Sequence, residues 1–205
     1  SRRRVISMPL IAFVAFAQWR AAAPLAIAML ADPQMGRHLD AATALEHALA
    51  ANAAATRDVP PEVLAALAWR ESHLNPLSGP RGHWPIAPKV PPRRRVYRCG
   101  VTQSDAATWD ECVAQRDLFV GYAAGAEQVQ RWVTFARRHY HSRNALRAGL
   151  NGYAEGGRAA ANGFGVKCRG VSPTCDRAAI VLVRAARLRR AVERAQTAAA
   201  IRGGV

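Results

Sequence analysis

Glu71 is the side chain in this 205-residue chain whose setting best suits acid–base work. Between Pro60 and Asn75 the apolar positions Val63, Leu64, Leu67, Ala68 and Leu74 recur at helical spacing, and Glu71 falls four residues after Leu67 and three before Leu74. Residues three and four apart share a helix face, so a helix here aims the carboxyl at its apolar side. Burial in general favours the uncharged form of a carboxyl. A proton held at neutral pH is what a leaving oxygen needs from a general acid. An isolated glutamate more often pairs with a base such as Arg70, so the residues around it decide.

Other candidate chemistry is sparse. His73, His83, His139 and His141 show no metal-ligand spacing with carboxylates and read as surface residues; neither a metal nor a cofactor is implied. Cys99, Cys112, Cys168 and Cys175 form two close pairs without a C-x-x-C unit, which argues against zinc. Local bridges Cys99–Cys112 and Cys168–Cys175 are expected if the chain matures in an oxidising compartment, although four cysteines allow three connectivities.

The run Ala68-Trp69-Arg70-Glu71-Ser72-His73-Leu74-Asn75-Pro76 resembles the Glu-Ser-x-x-Asn-Pro signature of soluble lytic transglycosylases and goose-type lysozymes. Gly100-Val101-Thr102-Gln103-Ser104 is similar to that family's Gly-Leu-Met-Gln segment. Asp117 to Val133 is similar to its scaffold helix, and Ala145 to Tyr153 to its Ala-Leu-x-x-Tyr-Asn-x-Gly segment. The stretches follow in family order from about Pro60 to Arg190. The resemblance implies a mainly α, lysozyme-like domain that cuts the glycan strands of peptidoglycan, with Glu71 as single acid/base. It implies substrate-binding roles for Ser72, Asn75, Thr102, Gln103 and Asn151. Leu150 stands where the family carries a tyrosine that hydrogen-bonds the catalytic carboxyl, and Tyr153 is the candidate substitute.

With one acid/base, the resemblance favours a lyase that leaves 1,6-anhydro ends. A hydrolase needs a second carboxylate to activate water, and Asp105, Asp110 and Glu111 are the acids close after the second motif. A binding protein with the same fold is the non-catalytic alternative.

The elements that must position these residues are helical. Half the residues are apolar, aromatics make up 7%, and alternating β-branched runs are scarce. The pattern predicts a short helix over 40–56, a helix from Pro60 to Asn75 capped by Asp58, and helical periodicity from Ala106 to His139. It also predicts a short helix from Asn144 to Leu150, turns at Gly152, Gly156, Gly157, Gly163 and Gly165, and a basic helix from Cys175 to about Ala200. Residues 79–98 carry Pro80, Pro85, Pro88, Pro91 and Pro92 with Arg93-Arg94-Arg95, a long basic loop.

Ser1-Arg2-Arg3-Arg4-Val5-Ile6 ahead of two apolar runs reads as an export signal, with a likeness to twin-arginine signals, or as a membrane anchor. An apolar helix packed on the domain is the other reading. The expected division is 1–31 signal or anchor, 32–57 linker and helix, 58–200 the enzyme-like domain and 201–205 a tail. A periplasmic or envelope location follows, in a resident, phage-borne or secretion-apparatus protein.

A net charge of +15 favours an anionic partner, whether wall polymer or membrane surface. Without residues 1 to 31 the chain still holds 25 bases against 14 acids, so the basicity belongs to its body. The aromatic-interleaved basic motifs of RNA readers are missing, and no nucleic-acid partner is expected.

Overall fold

The computed structural model describes residues 10–79, 97–140, 144–155 and 177–203. The fold is mainly α: seven α-helices and one two-stranded hairpin among the described residues. Helix α1 spans Leu10–Ala31, α2 Ala41–Ala54 and α3 Pro61–Ser72. Strands β1 (Tyr97–Cys99) and β2 (Ser104–Ala106) follow. Then come α4 (Trp109–Ala114), α5 (Leu118–Tyr140), α6 (Ala145–Glu155) and α7 (Arg177–Gly203).

One core joins these helices, all but α4, whose Cys112 packs with Cys99 and Ala106 of the hairpin. Leu25 and Met29 of α1, Ala44 and Ala48 of α2, Leu64 and Leu67 of α3, Tyr122 and Val129 of α5, Leu150 of α6 and Leu188 of α7 are all buried in it. The second apolar run, Ala21 to Ala31, thus contributes Ala22, Leu25, Ala26, Ala28 and Met29 to the domain interior, and α2, the short helix expected over 40–56, packs into the same core. Past α1, Asp32 pairs with Arg184 of α7 at 3.6 Å. Among the described residues no helix is long and apolar enough to cross a membrane.

Several boundaries differ from expectation for local reasons. Asp58 does not cap α3; Pro60 is the N-cap residue in extended conformation, and Pro61 opens the helix where its missing amide costs nothing. Asp58 instead takes a two-pronged ion pair from Arg137 of α5, both contacts 2.6 Å, with Gln130 adding a hydrogen bond of 2.9 Å. Helix α3 stops at Ser72, short of Asn75-Pro76, because His73 and Leu74 turn left-handed at φ 54° and 66°.

The periodicity over 106–139 breaks into β2, α4 and α5. Thr108 and Glu111 form a reciprocal capping box that starts α4 afresh. Helix α6 runs through Gly152 to Glu155, so that glycine marks no turn. The other four glycines, the Cys168–Cys175 pair and the core of the basic loop lie outside the described residues.

Candidate active site at the end of helix 3

Glu71 occupies the last turn of α3 and is half-buried, which leaves its carboxyl within reach of a substrate. The apolar stripe behind it, Val63, Leu64, Leu67 and Ala68, is buried as the spacing requires. Next to it the Ser72 side chain turns inward. Its hydroxyl lies 2.6 Å from the Val101 carbonyl and 3.0 Å from the Ala68 carbonyl of its own helix. One proton cannot serve both fully, and the nearer contact ties α3 to the hairpin.

Gly100-Val101-Thr102-Gln103 is the tight turn of that hairpin. Strands β1 and β2 pair antiparallel, with Cys99 opposite Ser104 and Arg98 opposite Asp105. The Gln103 amide donates back to the Gly100 carbonyl at 3.2 Å. Gly100 has φ +72°, and a Cβ there would sit 2.2 Å from the Gln115 carbonyl oxygen, so glycine is required twice over. A disulfide, Cys99–Cys112, joins β1 to α4 across 5.3 Å between Cα atoms, the first of the two expected bridges. The cross-strand pair Arg98–Asp105, 3.2 Å, fixes the register from the other face.

Beneath the turn lies a buried hydroxyl network. Thr102 Oγ1 donates to the Gly121 carbonyl at 2.8 Å and sits 2.6 Å from Ser104 Oγ. The Tyr153 hydroxyl donates to the Thr102 carbonyl at 2.5 Å and lies 3.2 Å from Ser104 Oγ. Burial pushes the Tyr153 phenol well above its ordinary value, and the negative charge of Glu71 pushes the same way, while hydrogen bonds with Ser104 and Thr102 pull against them. Tyr153 is therefore a neutral neighbour of Glu71, with its proton committed to the turn rather than to the carboxyl.

Of the residues expected to hold substrate, Ser72, Thr102, Asn151 and Tyr153 are buried. They build the floor on which the site stands. Asn75 is exposed and accepts the Leu77 amide at 2.9 Å, and Gln103, half-buried at φ 56°, donates its side-chain amide to the carbonyls of Ser78 and Gly100 at 2.9 and 2.8 Å. Both stand on the segments that flank Glu71. Leu150 packs in the core, so no polar group from that position meets the carboxyl.

Two of the three nearby acids have other duties, while Asp110 is exposed on α4. Asp105 is held by Arg98 and, at 3.0 Å, by Gln128, whose oxygen also accepts the Asp105 amide at 2.9 Å. The Glu111 carboxylate caps α4 through the Ala107 amide at 2.7 Å. No group of three or more histidine, cysteine or carboxylate side chains among the described residues is arranged to hold a metal ion.

A buried polar contact of the core, between His47 and Tyr122, escaped the sequence reading. Both are fully buried, with His47 Nδ1 3.0 Å from the Tyr122 hydroxyl. A signal existed: Ala44, His47, Ala48 and Ala51 share a helical stripe, which puts the imidazole on the packed face of α2. No protein-family model, curated protein or solved structure matches this chain.

Proposed function

We propose that the protein is a peptidoglycan lytic transglycosylase of lysozyme-like fold, with Glu71 as its single acid/base. The observation that carries the reading is a half-buried carboxyl at the end of α3, joined through its neighbour Ser72 to the Gly100–Gln103 turn, whose Thr102 carbonyl Tyr153 holds. The ordered family-like motifs add the substrate. Their first, second and fourth stretches, far apart in the chain, converge on this one place.

In this reading Glu71 protonates the oxygen that links N-acetylmuramic acid to the next sugar, and the C1–O bond breaks. The resulting carboxylate then takes the proton of the muramic acid 6-hydroxyl as its oxygen bonds to C1. The 1,6-anhydro ring closes, Glu71 regains its proton, and no water is consumed. A hydrolase needs a further carboxylate free to activate water; with Asp105 and Glu111 committed, Asp110 is the one of the three nearby acids left for that role, and the lyase route needs none. The surface charge suits an anionic wall, and the Cys99–Cys112 bridge suits maturation in an exported, oxidising setting such as the periplasm.

A binding-only variant of the same fold is the second reading, favoured by Leu150 in the core where the family places its tyrosine. Mass spectrometry of sacculi digested by wild type and Glu71→Gln separates the two. The lyase yields soluble anhydro-muropeptides with wild type and none with the variant. Reducing ends point to a hydrolase, and sacculus binding without release overturns the enzyme.

A further inference from the structure

We infer that the outer side of α1 and an arginine row on α7 together form a docking face for an anionic lipid bilayer, on which the chain lies without crossing it. The inference stands apart from the role of Glu71. Ala21 to Ala31 is wholly apolar, so α1 keeps an apolar side to spare once its inner side, with Ala22, Leu25 and Met29, is packed in the core. What remains turns outward. Trp19 is 51% exposed, Ile27 55% and Leu30 37%, and with half-buried Ala23 they recur at helical spacing along one side. A helix at the surface of a water-soluble domain ordinarily turns polar residues out. Arg20 is the one charged residue of α1.

The neighbouring helix supplies charge. Helix α7 packs against α1, with Arg184 facing it 3.6 Å from Asp32, while Val181, Ala185 and Leu188 face the core. At about 3.6 residues per turn, Arg187, Arg190 and Arg194 then fall together on the side away from that core, and all three are exposed. Val183 and Ile201, also exposed, stand in line with them before and after. None of the three arginines is in an ion pair among the described residues, and Glu193 is the one acid of α7. Like charges at this spacing destabilise a helix until anions meet them.

A bilayer with anionic headgroups answers both helices. Its phosphates meet the arginines, and the boundary between headgroups and acyl chains covers the apolar side, a depth that suits tryptophan. An anionic polymer would neutralise the arginines and leave Trp19, Ile27 and Leu30 in water. A second copy would cover the apolar side, but a two-fold contact brings the two arginine rows together in chains of net charge +15. Lying on the surface also fits the length of α1, since among the described residues no helix is long and apolar enough to cross.

Flotation of the full chain with vesicles tests the inference, using phosphatidylcholine with phosphatidylglycerol in equal parts and phosphatidylcholine alone. The wild type should bind the mixed vesicles at least about 10-fold more tightly than the neutral ones and lose affinity as salt is added. Ile27→Glu with Leu30→Glu should weaken binding to the mixed vesicles at least about 10-fold, and Arg187→Gln with Arg190→Gln and Arg194→Gln about 100-fold. These positions are exposed, so the helical circular dichroism should match the wild type. Brominated lipid should quench a part of the emission that Trp19→Phe removes. A wild type that does not float with the mixed vesicles overturns the inference, as does binding that neither set of substitutions weakens. Retention on lipid-free sacculi without flotation also overturns it and gives the arginine row to the wall polymer. A dimer in sedimentation that Ile27→Glu with Leu30→Glu dissolves gives the face to a second copy and overturns it too. If that pair does not fold, the arginine set and the Trp19 quenching decide in its place.

Discussion

The two ends of α3 are held by different physics. At its start, Asp58 and Arg137 meet in a strong-looking ion pair whose side chains are 19% and 52% exposed. At its end, Ser72 makes hydrogen bonds that water does not reach. Exposed pairs of charges contribute little because solvent screens them and ordering two long side chains costs entropy. Buried hydrogen bonds contribute modestly when made, and breaking one costs the desolvation of whatever is left unpaired. The helix is therefore fastened most firmly where the candidate acid sits. The equally short contacts at the other end are the more expendable ones.

The largest effect that would break this contrast is catalytic. Glu71→Gln should lower muropeptide release by at least about 100-fold while the melting temperature stays within about 2 °C of wild type. A variant that clears sacculi at the native rate removes the functional meaning of the helix's end.

Next is the pH response of the core that α2 and α5 form, where His47 meets Tyr122. Burial lowers the His47 pKa from its ordinary 6.5 to about 4, with the Leu74 backbone pulling weakly the other way. The unfolded chain then binds a proton that the folded one refuses between those values. The His47 contribution to stability is whole above pH 6.5 and declines as pH falls to about 4, by about 3 kcal/mol in all. Urea titrations at pH 7 and pH 4.5 measure it. His47→Gln should flatten that part of the profile, and an unchanged slope would place the titration elsewhere.

The hairpin under the site offers an effect of similar size. Cys99→Ser opens a bridge between residues 13 apart, and stability should drop by about 2–3 kcal/mol in denaturant melts. Ser72→Ala comes below that, at about 1–2 kcal/mol from the unpaired Val101 carbonyl, with a loss of activity larger than the stability change explains.

The smallest effect belongs to the exposed end. Hydrogen bonds from Arg137, then Gln130, hold the Asp58 carboxyl down at about pKa 2, against a slight opposing effect of burial. Its contribution is complete above about pH 4 and disappears as pH falls through 2. Solvent screening keeps it small: Asp58→Asn should move the melting temperature by about 2 °C or less at pH 7, and added salt should shrink the difference. A larger shift than Ser72→Ala causes would reverse the ranking of the two ends.

Much of this was legible in local pattern. The apolar stripe of α3, the helical majority and the Cys99–Cys112 bridge follow from spacing and composition. What was not legible involved choices between partners. Asp58 has the chemistry of a helix cap, but Arg137 lies 79 residues away in sequence and offers two charged donors, while the prolines at 60 and 61 leave the helix no amide to present early. Ser72, Thr102 and Tyr153 are polar and sit in motifs, which suggests contact with a ligand, yet each found a protein carbonyl first. Glu71 was expected on the buried stripe and is half-exposed, because the helix ends one residue later.

The sequence by itself determined that α3 would form with Glu71 near its end, since periodicity and proline placement are properties of a dozen neighbouring residues. It also determined a basic, mainly helical chain with a local Cys99–Cys112 bridge, but not the hairpin that the bridge fastens. Only the tertiary structure decided that Ala22 to Met29 join the domain core, that four of the motif side chains face inward, and that His47 meets Tyr122 in the interior. Those outcomes depend on which distant groups reach a buried donor or acceptor first, and no local pattern encodes that contest.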